Sequence, residues 1–411
     1  MAPHLIRRNV ALYYAFVFMA QFLLWGGVWI KYLIDERGLE LKWILFMDLP
    51  FWLLVATLQA PTGALADHLG RKKMLALSGA LYAITILGFG FTTNYWMLFA
   101  DYVIWAFAIT AQTGADQALL YDSLKLAGQE NRFQKIVSRG SALSLSAAFA
   151  GVVLGAILAT RTSLAFVVQI SAIFPLISMT IALCMHEPPI ERHAERHYWA
   201  DLRSGLHFAW AMPRVRYTLL VGGVLMTGTF GPVVLIQPFL IDHDVSTALF
   251  GWLQAPLRLV SVAGSLLAFW VVSRMGLPRL LVMSCGVVFA SYAGLALADA
   301  SVAFAFFAMP AAMSGLAMPV ISAHLNDEIP SERRATILSI LQLVFALQVA
   351  FFEPALGFFA DGLSLRAAFI FCVVYFALIM PPLLYLWRRA HGSGPIVVAR
   401  GRAESVAAGG G

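Results

Sequence analysis

Twelve stretches of about 18 or more mostly apolar residues dominate the chain, at 9-34, 43-65, 73-93, 95-121, 138-160, 163-184, 216-241, 247-272, 279-298, 301-325, 335-360 and 366-388. Runs of that length match the thickness of a bilayer. In lipid every backbone N–H and C=O must be satisfied inside the segment, so each run is expected to be a helix. Composition agrees: 60% of the 411 residues are apolar and 12% are charged, too few to cover the surface of a water-soluble fold of this size. The fold expected is an all-α membrane protein of twelve transmembrane helices. The first run follows Arg7 and Arg8 and is too long for a signal-peptide core, so it reads as the first span. Cys184, Cys285 and Cys372 each sit in an apolar run, which leaves neither a disulfide framework nor a zinc-ligand spacing.

The net charge of +6 does not form a nucleic-acid patch, because the basic residues alternate between loops. With both termini on one side, 22 of the 28 Lys and Arg fall on that side, which by the positive-inside bias is the cytoplasm. The longest connection, 185-215, divides the spans six and six. The organisation expected is a first bundle over 1-184, a linker over 185-215, a second bundle over 216-390, and a disordered cytoplasmic tail over 391-411. Within the linker Trp199, Leu202, Leu206 and Trp210 recur at helical spacing, as in a short amphipathic helix at the membrane surface. His193 and His197 are one helical turn apart, but no third ligand follows from the spacing, and the pair reads as solvated linker with no metal.

An internal repeat appears at an offset of 206: Gly70 on Gly276, Lys73 on Arg279, Trp52 on Arg258 and Asp122 on Glu328. The most specific motif lies between spans two and three, Gly63-Ala-Leu-Ala-Asp67-His-Leu-Gly70-Arg71-Lys72-Lys73. Gly63 is expected to let two helices approach, Gly70 to permit a tight turn, Asp67 to accept from a helix N-terminus, and Arg71 to pair with an acid at the foot of another helix. In this loop the chain resembles the major facilitator superfamily, whose signature is G-x-x-x-D-x-x-G-R-[KR]. The resemblance covers all twelve spans and implies two pseudo-symmetric six-helix bundles. It further implies a cytoplasmic latch, carried over by position onto Asp67, Arg71, Asp122 and Arg139. The echo Ser273-Arg-Met-Gly276-Leu277 has lost the acid and the Arg, which puts the latch in the first half. The stretch Gly114 to Lys125 looks like that of a bacterial drug-efflux-like branch, which implies a bacterial inner membrane.

Asp48, Asp101, Asp116, Arg258 and Glu353 fall inside expected spans, where an ionisable group is costly unless paired or hydrated. Helical spacing puts Asp48 with Trp52, Asp101 with Trp105, Gln112 and Asp116, Gln254 with Arg258, and Gln342 with Glu353, each set on one face. Those faces are expected to point inward. Arg258 with Glu353 reads either as a structural ion pair or as a proton-coupling pair helped by the helix break expected at Pro354. Asp48 and Asp101 either line a cavity or reach the interface. In span one Tyr14, Phe18, Gln21, Trp25 and Trp29 form an aromatic stripe suited to packing or to the wall of a site for an apolar or cationic ligand.

Three classes compete on these residues. An intramembrane enzyme would need a nucleophile with a base, or a metal set, at membrane depth, and none is legible. A channel would need a polar filter repeated by symmetry. The absence of a G-x4-G-K-[ST] loop removes ATP-driven pumping within this chain. The expectation is a monomeric secondary transporter without cofactor, moving a small amphipathic molecule by alternating access, with the proton as coupling ion. Efflux is favoured over uptake, although the span-five run Ala150-Gly151-Val-Val-Leu-Gly155-Ala156 lacks the Pro of the antiporter pattern.

Overall fold

The computed structural model of the chain describes residues 3–188, 198–330 and 333–392. His193, His197 and the tail beyond 392 lie outside the described residues. The chain divides into two compact units, residues 1–195 with 240–256, and 196–239 with 257–411.

The first unit begins with α1 (Pro3–Gln21), a 3-10 turn (Leu24–Gly27) and α2 (Trp29–Asp35), followed by α3 (Leu41–Phe46), α4 (Asp48–Leu69) and α5 (Arg71–Phe91). It continues through α6 (Tyr95–Gln112), α7 (Ala115–Lys125), α8 (Phe133–Ala159), α9 (Leu164–Ser171) and α10 (Ile173–Cys184). The second unit holds α11 (Tyr198–Ala211), α12 (Pro213–Phe230) and a 3-10 turn (Gly231–Leu235). After α13 (Ile236–Asp242) and α14 (Thr247–Met275), both of which run partly in the first unit's segment, come α15 (Leu277–Leu297), a 3-10 turn (Ser301–Phe307), α16 (Ala308–Glu328), α17 (Arg334–Gly362) and α18 (Leu365–His391).

Proline places several breaks. Pro50, Pro175, Pro238 and Pro310 are each the third residue of a helix, α4, α10, α13 and α16. A proline cannot donate to the carbonyl four residues back, and its ring clashes there; in the first turn of a new helix neither fault matters. Phe46 and Ser171, four residues before Pro50 and Pro175, are the last residues of α3 and α9. Expected spans two and six are therefore each built from two helices. Pro354 acts differently: α17 runs unbroken from Arg334 to Gly362, so the helix break expected beside Glu353 is not there.

Among the described residues eleven helical segments are long and apolar enough to cross a membrane. The expected span 95-121 is the one missing from the twelve. Gly114 takes a left-handed backbone (φ +80°) that ends one helix and starts the next, leaving α6 with 18 residues. Those 18 residues are long enough to span, but with Asp101, Gln112 and several Tyr and Trp among them α6 is less apolar than the eleven. The break also separates Asp116, on α7, from Asp101, Trp105 and Gln112 on α6, so those four do not share one helix face as expected.

The 206-residue repeat is visible in the backbone. α5 and α15 are both 21 residues long and start at that offset, and each is preceded by a positive-φ glycine, Gly70 and Gly276. The amphipathic helix expected around Trp199 is present as α11. It packs on α17 through Gly205, against Thr336 and Ile340, while Leu206 and Trp210 stay exposed. Small residues rather than the apolar stripe make that contact.

Candidate functional site

Four elements of the first unit meet around the α4–α5 turn. Arg71, the first residue of α5, pairs through its guanidinium with Asp122 of α7 and lies 3.7 Å from Asp67 of α4. Asp67 is largely exposed and caps no helix among the described residues. The cap expected of it comes from Glu187, just past α10, which accepts the backbone N–H groups of Arg71 at 2.8 Å and Lys72 at 2.7 Å. A carboxylate there meets the unpaired donors and the positive end of the α5 dipole. Gly70 is required twice: its φ is +101°, and a Cβ would stand 3.3 Å from the Glu187 carboxylate. Gly63 is not a contact point, since a Cβ there meets nothing within 4 Å. Arg139 is exposed and forms no ion pair among the described residues, because Arg71 already holds Asp122.

Asn9 of α1 completes this cluster and was not legible as a site residue. It is 1% exposed. Its amide donates to Ser123 Oγ at 3.0 Å and to the His186 carbonyl at 2.8 Å, and its Oδ1 accepts the His186 N–H at 2.9 Å. Ser123 and His186 are the chain neighbours of Asp122 and Glu187, so one buried amide aligns both acids. The available signal was small: a lone Asn opening an apolar run, and a Glu directly after one.

Deeper in the same unit, aromatic rings enclose a small cavity lined by Trp25, Tyr82, Thr85, Ile86, Phe89, Tyr102 and Trp105. The Trp105 ring lies 5.5 Å from Trp25, stacks on Tyr82 at 6.2 Å, and contacts Phe51 at 4.8 Å. Trp29 and Trp52 extend the wall through Trp25 and Phe51. The indole N–H groups of Trp25 and Trp105 both approach the Tyr82 hydroxyl, yet neither reaches hydrogen-bond geometry. A buried donor left without an acceptor costs roughly 1–3 kcal/mol, which an entering acceptor would recover.

One buried acid is next in sequence to the lining residue Tyr102, and another opens the helix that carries Phe51. Asp48 starts α4 three residues before Phe51; it is 6% exposed and its Oδ2 has no hydrogen-bond partner. Asp101 sits one turn before Trp105, 8% exposed, with its carboxylate pressed against Gly88, where a Cβ would be 2.6 Å from both oxygens. Gln21 and Gln112 are half-buried. Gln254 donates to the Gly27 and Phe250 carbonyls at 2.9 and 3.0 Å, so its amide serves packing.

In the second unit Glu353 is 1% exposed, whereas Gln342 and Arg258 are exposed. Among the described residues no salt bridge joins Arg258 to Glu353, so the expected pair is not formed. Helical phase alone had put Gln342 and Glu353 on one face, but eleven residues along α17 the packing around them differs.

The family model described as the Major Facilitator Superfamily matches residues 10–314. The chain belongs to the major facilitator superfamily. In sequence no curated protein matches it significantly. Similar solved structures include the nucleoside transporter NupG, at 16% identity and TM-score 0.71, covering 93% of this chain and 99% of that one. A bacterial homolog of the human lysosomal transporter Spinster, inward-facing and unoccupied, aligns at 16% identity and TM-score 0.70 over 97% and 100%. A D-xylose–proton symporter aligns at 14% identity and TM-score 0.71 over 94% and 98%. As a superfamily member the chain is a multi-pass membrane transport protein for a small molecule rather than an enzyme. At these identities the likenesses carry the fold alone.

Proposed function

We propose that the protein is a proton-coupled secondary transporter that exports a small amphipathic molecule with an aromatic or apolar body and one hydrogen-bond acceptor, from a bacterial cytoplasm through the inner membrane. The observation that carries this reading is the aromatic chamber with two unpartnered indole donors. Rings supply area for a flat or apolar body, and the donors select for one polar atom on it. Asp48, with a buried oxygen that lacks a partner, is the coupling group of the first unit, and Glu353 is the coupling group of the second unit; acids at membrane depth mark proton paths. The Asp67, Arg71 and Asp122 cluster serves as the latch of the transport cycle.

Proton-coupled uptake is the second reading. It is favoured by Gly151 and Gly155 of α8, which lie without the antiporter proline and are occupied in packing against Leu23 and Leu24. The test starts with the purified protein and a panel of aromatic amines, nucleosides, sugars and short peptides, scored by the rise in melting temperature. Amphipathic aromatic compounds are expected to stabilise the wild type, and Trp105→Phe, which keeps the ring and deletes the donor, is expected to weaken that response about tenfold. Transport of the hits in proteoliposomes under a pH gradient then fixes direction. Stabilisation by sugars alone, or no loss in Trp105→Phe, overturns the assignment of the chamber.

A further inference from the structure

At the end of the second unit where α16 and α18 finish, three ligating side chains converge: His324 and Glu328, one turn apart on α16, and His391, the last residue of α18. Their ligand atoms all lie within 4.8 Å of one another. We propose that His324, Glu328 and His391 form a binding site for a divalent transition-metal ion of the zinc class, which clamps the ends of α16 and α18 together.

Four features support the assignment. The two Nε2 atoms are 3.1 Å apart. Two imidazoles on one tetrahedral zinc, with Zn–N of about 2.0–2.1 Å, place their nitrogens ~3.3–3.4 Å apart, so the rings are already near chelating distance. The other nitrogen of His391, Nδ1, lies 2.9 Å from the Trp387 carbonyl, an outer-shell bond that fixes the ring and leaves Nε2 as the acceptor lone pair. His324 is 2% exposed, and Trp387 lies against both imidazoles, with ring centroids 6.2 Å from His324 and 4.4 Å from His391. The indole is itself held, because its N–H donates to Thr218 Oγ1 at 2.9 Å. Glu328 is less committed. Among the described residues its ion pair is with Arg214, 3.9 Å away, whose Nε is turned to the Ala390 carbonyl at 3.3 Å. The carboxylate can therefore leave the loose pair and become the third ligand. Two imidazoles with one carboxylate leave a fourth position for water, which suits an exchangeable ion more than a closed structural one.

The repeat gives the site a context. Glu328 stands at the offset position of Asp122, but the second half has Leu277 where Arg71 stands in the first. With no arginine arriving from the α14–α15 turn, the acid keeps lone pairs for another cation.

The test uses tag-free full-length protein in detergent, titrated with Co2+ and then Zn2+. One Co2+ per chain with tetrahedral visible absorption, displaced by Zn2+, and a melting temperature that rises with Zn2+ are expected. His391→Asn and Glu328→Gln should each weaken Zn2+ binding about tenfold or more. The metal-free melting temperature of each variant controls for folding, and Glu328→Gln at a helix end preserves the fold if His391→Asn does not. The double variant His193→Ala with His197→Ala should bind as the wild type does. Unaltered binding in Glu328→Gln and His391→Asn, loss in the linker variant instead, or no Co2+ bound at micromolar concentration would each overturn the site.

Discussion

Single side chains in this protein matter according to how many backbones they hold. Asn9 binds Ser123 and His186 through three hydrogen bonds while nearly fully buried, so Asn9→Leu strands the backbone N–H and C=O of His186, while the Ser123 hydroxyl keeps its bond to the Leu119 carbonyl. At roughly 1–3 kcal/mol per stranded buried group, the variant is expected to melt several degrees lower in detergent. A Gly63→Ala control, filling open space, should melt as the wild type does. An Asn9→Leu protein with wild-type melting temperature would remove Asn9 from the cluster. The contrast shows what residue type conceals. Gly63 belongs to a recognisable signature, yet a side chain there would meet nothing within 4 Å, whereas Asn9 and Glu187 belong to no pattern, because hydrogen bonds between residues 177 or 116 positions apart leave no local trace.

At the scale of helices, the sequence was most informative where a backbone rule is absolute. Apolar length yielded the spans; proline was a mixed guide, since Pro50, Pro175, Pro238 and Pro310 sit in the first turns of α4, α10, α13 and α16, whereas Pro61, Pro256, Pro319, Pro354, Pro381 and Pro382 lie inside continuous helices. Helical phase was a weaker guide: it put Asp116 with Asp101, but the Gly114 turn intervenes, and it put Gln342 with Glu353, of which only Glu353 is buried. Close helix approach was legible only as a run of small residues. In the structure Gly151 and Gly155 of α8 admit the backbone of Leu23 and Leu24, where the first span is interrupted, and a Cβ on Gly151 would stand 2.7 Å from the Leu23 nitrogen. Gly155→Leu is therefore expected to push the Leu24–Gly27 turn away and abolish transport, with Gly155→Ala intermediate, read as initial rate at matched membrane expression. Arg71→Lys should also lower the transport rate while leaving the protein in the membrane, because a point charge replaces the planar guanidinium that reaches Asp122. Wild-type transport by Arg71→Lys would show that charge alone suffices there.

For the whole molecule, the decisive question is which buried acid answers to the proton gradient. Asp48 and Glu353 lie in different units and in different surroundings: Asp48 opens a helix beside the aromatic chamber, whereas Glu353 is embedded in an unbroken α17 next to Pro354. Among the described residues Arg258 forms no salt bridge, so the account of Glu353 as half of a permanent bridge to Arg258 of α14 is not supported, and Glu353→Gln, which keeps the side chain's size, is expected to reach the membrane. Coupling and mere substrate binding can be separated in proteoliposomes. Exchange of labelled for unlabelled substrate at equal pH needs binding and rocking but no net proton movement, whereas accumulation under an imposed gradient needs both. Asp48→Asn is expected to retain exchange and lose gradient-driven accumulation, because an amide keeps the shape and hydrogen bonding of the acid without its proton. Glu353→Gln should do the same if both units load a proton, and should accumulate normally if Asp48 works alone. Gradient-driven accumulation that survives in the double variant would remove both acids from coupling and leave Asp101, the remaining buried acid of α6 beside the chamber, to carry it.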